Sequence, residues 1–359
     1  MRFPISGNVL NSYMLPPRTP AVTGLPIFSP ATNFAPTDGF WDINFRRIIL
    51  ISSTNSGVYN YNYRNNTTTL HQQAGLVAGD QGDLNRAGDR IAAIRANNLT
   101  ILQYDNATGL LSADITLTDS VSFGLARQCA WSPDGNYIAV AINDDVSGRA
   151  IVHIVQYIRS PASLTIVASF LAPASFQSCE TIVWGINNVI VASGLQTGMR
   201  VFRFEPATNT ITQVQHITGA FRLNSMSFSI NGDFLVGIDA ATPDEIMVFS
   251  FTTSPDTLTL LNTLTLPHAL SNRDDFKITW DTNTRNILLG NGGGVSHQSI
   301  SVLRFDPVGM GLTMHGSFLH GSTATFKGMI NNINHVVAYI RNSSSQPIMI
   351  MPFASNINI

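Results

Sequence analysis

Cysteine, lysine and charge of either sign are all in short supply. Cys129 and Cys179 are the only cysteines, too few for a disulfide framework or a cysteine-built zinc site. Lys277 and Lys327 are the only lysines, and charged residues make up 12% of the 359-residue chain, against about 25% in an average soluble domain. A formal net charge of -2 gives no basic footprint for nucleic acid or anionic lipid. No run approaches the ~18 apolar residues of a membrane span. Residues 1–10 have neither a charged leader nor an apolar stretch, so no signal peptide is expected, and the expected setting is the cytoplasm or a virion. His-Glu-x-x-His and Gly-Lys-Ser/Thr are also missing, and with them the sequence signs of zinc hydrolysis and of nucleotide phosphate binding. No metal or cofactor is expected.

What the chain does have is an internal repeat, recurring about every 48 residues, the span of a four-stranded propeller blade. Alternating apolar stretches end in an aromatic at Tyr63, Tyr104, Tyr157, Phe204, Phe251, Phe305 and Phe353. An aliphatic follows the first six at a constant offset: Leu70, Leu111, Leu164, Ile211, Leu258 and Leu312. Turn formers such as Asp105-Asn106-Ala107-Thr108-Gly109 lie between, so each aromatic and its aliphatic flank a hairpin. A second hairpin precedes each aromatic, clearest in Trp131-Ser132-Pro133-Asp134-Gly135, with counterparts from Phe228, Trp280 and Trp184 and weaker copies at 43–51, 85–94 and 330–339. Second strands such as Ile48-Ile49-Leu50-Ile51 are apolar on both faces, as a sheet sandwiched between neighbours requires. The expected fold is all-β: a seven-bladed β-propeller of four-stranded antiparallel blades over residues 21–359.

On residues 131–135, 204–212 and 305–313 the chain resembles the seven-bladed propellers of the WD40-like and lactonase-like groups, which share a Ser-Pro-Asp-Gly hairpin and a Phe-x-x-Asp-Pro-x-Thr-Gly hairpin. The Gly-His and Trp-Asp dipeptides of true WD40 repeats are absent. The last repeat runs out where its fourth strand should begin, so a strand at about 22–28 is expected to complete that blade and close the ring, hiding its edges. Residues 1–20 remain outside the ring as an extended arm. Its apolar side chains, Phe3, Ile5, Val9, Leu10, Tyr13, Met14 and Leu15, are expected to pack on the propeller or to dock on another chain, either a protein partner or a neighbouring copy.

Candidate chemistry gathers just ahead of each Trp or Phe, where propellers expose the mouth of the central channel: Arg127, Gln128, Glu180, Arg222, Asn224, Asp274, Asp275, Lys277 and Lys327. The resemblance to lactonase-like propellers implies Gly-Pro-Arg-His at this point. The chain keeps Arg127 but has Gln128 in place of the histidine. If the protein is an enzyme, Arg127, Glu180 and Arg222 are its candidate catalytic residues. Cys129 and Cys179 are expected as buried thiols on the innermost strands of blades 3 and 4. Gly290 to Gly294 is expected as a hairpin loop, and Asp80 to Asp83 and Asn143 to Gly148 as solvated turns.

Three functions fit these features. The favoured expectation is a non-enzymatic interaction scaffold, a structural subunit of a larger assembly such as a phage virion or tail, docking through its arm and loop faces without nucleic acid or membrane. The alternatives are a lactonase-like hydrolase or isomerase at the channel mouth, and a carbohydrate-binding propeller. The last would need exposed aromatics, whereas Trp41, Trp131, Trp184 and Trp280 sit at core positions of first strands.

Overall fold

The computed structural model describes residues 27–28, 34–44, 46–62, 64, 67–76, 79–118, 125–144, 149–173, 178–194, 198–219, 222–239, 245–266, 277–280, 285–290, 299–319, 326–331, 336–341 and 348–352. Six sheets are each built from four consecutive antiparallel strands. Blade 1 comprises Asp38–Trp41, Arg47–Ile51, Ser56–Asn62 and Thr67–Ala74. Blade 2 comprises Gln81–Leu84, Arg90–Arg95, Asn98–Tyr104 and Leu111–Thr118. Blade 3 comprises Leu125–Trp131, Tyr137–Asp144, Arg149–Arg159 and Ala162–Leu171. Blade 4 comprises Thr181–Trp184, Val189–Ser193, Met199–Glu205 and Thr210–Ile217. Blade 5 comprises Leu223–Phe228, Phe234–Asp239, Glu245–Thr253 and Asp256–Thr265. Blade 6 comprises Lys277–Trp280, Asn286–Gly290, Ser299–Asp306 and Gly311–Leu319.

A further four-stranded sheet is composite. Phe326–Asn331, Val336–Arg341 and Ile348–Pro352 take their fourth strand, Ile27–Phe28, from the opposite end of the described chain, pairing Ile27 with Ile350 and Phe28 with Met349. Among the described residues the only helix is the 3-10 turn Ile186–Asn188. The fold is an all-β propeller of four-stranded antiparallel blades. The arm residues Phe3, Ile5, Val9, Leu10, Tyr13, Met14 and Leu15, the remainder of the expected closing strand, and Phe353 lie outside the described residues.

In blades 1, 2, 3 and 5 the first hairpin is fixed by the residue that follows the inner strand. The Ser132 hydroxyl accepts the Tyr137 amide at 2.9 Å and donates to Asp134, while Gly135 takes the positive φ that closes the turn. Ser229 and Gly232 repeat this in blade 5. In blade 2 Asn85 accepts from the amides of Asp89 and Arg90, and in blade 1 Asp42 accepts from Arg46 and Arg47. A small polar side chain thus satisfies amides that the turn would otherwise strand.

Second strands are buried on both faces: Ile48 to Ile51 and Ile138 to Ile142 have no solvent exposure. The inner-strand aromatic stacks edge-on against the aromatic that ends the third strand, as in Trp131–Tyr157 at 5.6 Å, Trp184–Phe204 at 5.9 Å and Trp280–Phe305 at 5.5 Å. Tyr104, Tyr157, Phe204, Phe251 and Phe305 pair across their hairpins with Leu111, Leu164, Ile211, Leu258 and Leu312. Blade 1 departs from the expected Tyr63–Leu70 pairing. There Tyr61 faces Thr68 and stacks on Trp41 at 5.6 Å, Leu70 lies on the exposed rim opposite Tyr59, and Tyr63 is outside the described residues. Tyr59, Tyr61 and Tyr63 alternate in the sequence, so pattern alone could not choose among them.

Neighbouring blades are also tied at the rim. Gln215 of blade 4 donates to the Leu258 carbonyl at 3.0 Å and accepts the Leu258 amide at 2.8 Å in blade 5, and Gln72 makes the same pair of bonds with Leu111. Replacing Gln215 with leucine should lower the unfolding free energy by about 1–3 kcal/mol, the cost of two abandoned backbone groups. Val308→Ser, at a side chain 90% exposed, should stay within about 0.5 kcal/mol of the parent. Equilibrium urea unfolding of both variants measures the difference.

Candidate functional site

The inner strand of a blade has one row of amides facing the axis with no strand to pair. Side chains from the preceding blade fill that gap. Asp38 Oδ2 of blade 1 accepts the Gly82 amide of blade 2 at 3.2 Å. Asp83 Oδ2 of blade 2 accepts the Trp131 amide of blade 3 at 2.7 Å, and Gln128 Oε1 of blade 3 accepts the Ile182 amide of blade 4 at 3.0 Å. Ser225 Oγ of blade 5 accepts the Ile278 amide of blade 6 at 3.1 Å. Between blades 4 and 5 the task passes to Ser193, whose hydroxyl accepts the Leu223 amide at 3.1 Å.

These latches surround a cavity of about 660 Å³ to which the first strands of blades 1 to 6 all contribute. Its charged lining is Asp38, Asp80, Asp83, Arg95, Arg127, Glu180 and Lys277; Phe40, Trp184 and Phe228 give it aromatic surface. Asp38 is 2% exposed. Its Oδ1 accepts the Lys277 ammonium at 2.7 Å and the Gly39 amide at 2.8 Å, so one carboxylate joins blades 1, 2 and 6. The ammonium also lies 4.9 Å from the centre of the Phe40 ring, a favourable cation–π placement. Arg127 Nε faces Glu180 Oε2 at 3.9 Å, and the Arg127 side chain is 46% exposed. Glu180 is steadied by Asn143, whose Nδ2 donates to Oε1 at 3.4 Å while its Oδ1 accepts the Cys179 amide at 2.6 Å.

Asp83 is the unusual group. Desolvation pushes its carboxyl up to about 6; the Trp131 amide and Lys277 pull it down, and Asp38 pushes it up again. The cation and the second carboxylate oppose each other, so burial decides the outcome. An acid held at such a value sits where a general base is most useful near neutral pH.

The sequence-predicted residues divide accordingly. Arg127, Gln128, Glu180, Asn224 and Lys277 all line the cavity, whereas Arg222 does not; its backbone amide instead donates to Asp239 at 2.8 Å. Asp274, Asp275 and the side chain of Lys327 lie outside the described residues. Gln128 is committed to a structural bond, accepting from Thr181 Oγ1 as well as from Ile182. Asp83, expected on a solvated turn, instead belongs to the inner strand Gln81–Leu84 and lines the cavity. Asp38 is not among the residues that the sequence singles out. Asp38 carries a signal by position, since it precedes Trp41 by three residues, as Lys277 precedes Trp280 and Gln128 precedes Trp131; Asp83, one residue ahead of Leu84, carries none.

Both cysteines are buried and free. Cys129 lies on the inner strand of blade 3 and Cys179 just ahead of the inner strand of blade 4; Cys129 Sγ donates to the Ala92 carbonyl at 3.5 Å. Desolvation pushes both thiols upward, helped by Asp83 and Asp38 at Cys129 and by Glu180 at Cys179. Neither forms the thiolate that nucleophilic catalysis needs. Among the described residues no group of three or more metal-ligating side chains converges, and no helix is long and apolar enough to cross a membrane.

No family model and no curated protein matches the chain. Solved structures do. A "putative 6-phosphogluconolactonase" of Bacteroides fragilis NCTC 9343 superposes with a TM-score of 0.64 at 12% identity, over 85% of this chain and 93% of that one. A protein of the same description from Bacteroides uniformis gives 0.62 at 15%, over 80% and 85%. The periplasmic gluconolactonase of Pseudomonas aeruginosa gives 0.61 at 14%, over 79% and 85%. The shared fold is the propeller. These neighbours correct the expectation of a non-enzymatic scaffold or virion component: they carry lactonase descriptions, and the channel mouth holds a built, charged cavity in place of a solvated rim.

Two outcomes check this site. Because the folded Asp83 carboxyl lies near 6 and an unfolded one near ~3.9, the folded state binds the extra proton at this site, and the contribution of Asp83 to stability falls as pH rises through 4 to 6. Asp83→Asn removes that loss. Its unfolding free energy relative to wild type should improve by about 2–3 kcal/mol between pH 4 and pH 7.5, measured by urea unfolding at both values. Separately, a thiol reagent at pH 8 should label neither Cys129 nor Cys179 in the native protein and both in denaturant.

Proposed function

We propose that this chain is a lactonase-like hydrolase that opens a sugar-type ring ester at the mouth of its central channel. The observation that supports it best is the convergence of Asp83, Glu180 and Arg127 on one cavity, with Asp83 poised near neutral pH. The lactonase descriptions of the structural neighbours agree with it.

In this reading the Asp83 carboxylate takes a proton from water as its oxygen attacks the lactone carbonyl carbon. Arg127, the exposed cation at the opening, donates to the oxygen that gains charge. The carbonyl-to-ring-oxygen bond then breaks, and the proton held by Asp83 passes to the departing ring oxygen, giving the hydroxy acid. Glu180 fixes the guanidinium by its charge. Lys277, engaged by Asp38, shapes the wall without meeting substrate. Gln128 carries no proton and is not needed to: the role open to a histidine in the family pattern falls to a carboxylate one blade earlier.

The test is hydrolysis of glucono-δ-lactone and its 6-phosphate by the purified full chain, corrected for spontaneous opening. Turnover should rise with pH through about 6 and then level. Asp83→Asn should lower kcat/KM by about 10²–10⁴-fold, and Arg127→Ala by about 10²-fold. A folded protein that opens neither lactone faster than buffer overturns the proposal.

A further inference from the structure

Resting on the lactone reading, the charge arrangement of the cavity says which lactone fits. Four carboxylates, Asp38, Asp80, Asp83 and Glu180, line it among the described residues, against three cations, Arg95, Arg127 and Lys277. None of the three is uncommitted. Lys277 is held by Asp38 at 2.7 Å, Arg127 faces Glu180 at 3.9 Å, and Arg95 donates to the Ser53 carbonyl at 2.8 Å. A phosphate dianion entering here would meet a wall with a surplus of negative charge. Its partners would be Arg127, already beside a carboxylate, and Arg95, turned onto a backbone carbonyl, in a site where low dielectric strengthens repulsion.

An uncharged polyol ring meets complementary groups instead. Carboxylate oxygens accept from its hydroxyls, Asn224, Ser227 and Thr279 supply further polar atoms, and Phe40, Trp184 and Phe228 add apolar atoms to the lining. We infer that the cavity selects a neutral polyhydroxy lactone over its phosphorylated counterpart, in contrast to the phosphogluconolactone named for two of the structural neighbours.

Equilibrium binding separates this inference from the question of turnover. Gluconolactam, an uncharged ring that cannot be hydrolysed in the same way, and its 6-phosphate are titrated into the wild-type full chain by calorimetry at pH 7.5 and low salt. The neutral lactam should bind at least about tenfold more tightly. In Glu180→Gln the gap should narrow, because one repelling carboxylate is gone. Preference for the neutral lactam supports the inference even if hydrolysis proves absent. Equal affinity, tighter binding of the phosphate or no binding of either ligand overturns it. Hydrolysis of the phosphorylated lactone in preference to the neutral one would overturn the specificity while leaving the enzymatic reading intact.

Discussion

The unpaired inner edge of each blade is the constraint around which the molecule is organised. A four-stranded sheet that ends at a channel leaves a row of amides without a strand partner, and buried amides must find acceptors. The chain meets this with side chains that cross from one blade to the next: Asp38, Asp83, Gln128 and Ser225, with Ser193 as the variant between blades 4 and 5. The need for acceptors brings carboxylates to the axis. Carboxylates at the axis bring the lysine that compensates them. The site therefore grows from the same groups that hold the ring together.

This double duty explains the division of labour in the cavity. Asp38 is nearly inaccessible and spends its oxygens on Gly39, Gly82 and Lys277. Asp83 uses Oδ2 on the Trp131 amide, and its carboxyl is held up to about 6 by burial. Arg127 is half exposed and only loosely matched by Glu180.

Local chemistry was legible and long-range chemistry was not. The Ser132 and Ser229 hairpins and the five aromatic–aliphatic pairings from Tyr104 to Phe305 involve residues a few positions apart, so spacing alone revealed them. Arg127 and Glu180 could be placed because they stand next to legible aromatics. Asp38 and Lys277 are far apart in sequence, and only ring closure makes them neighbours. The loss of a histidine at Gln128 was visible. That Gln128 serves as the latch of blade 3 to blade 4 was not, because its partner lies in another blade. The function expected from composition, a scaffold, failed because scarcity of charge across the whole chain says nothing of where the few charges gather.

The composite sheet has a consequence for how the molecule comes to be folded. Its strand Ile27–Phe28 pairs with Ile348–Pro352, so the earliest described strand finds its partner only after nearly all the rest has been made. Blades 1 to 6 can each condense from local hairpins, whereas the last pairing must wait for the largest loop in the chain to close, the slowest kind of contact to form. Until then a stack of finished blades carries two raw sheet edges, and a nascent chain stalled at that stage would be the species most exposed to pairing with its neighbours.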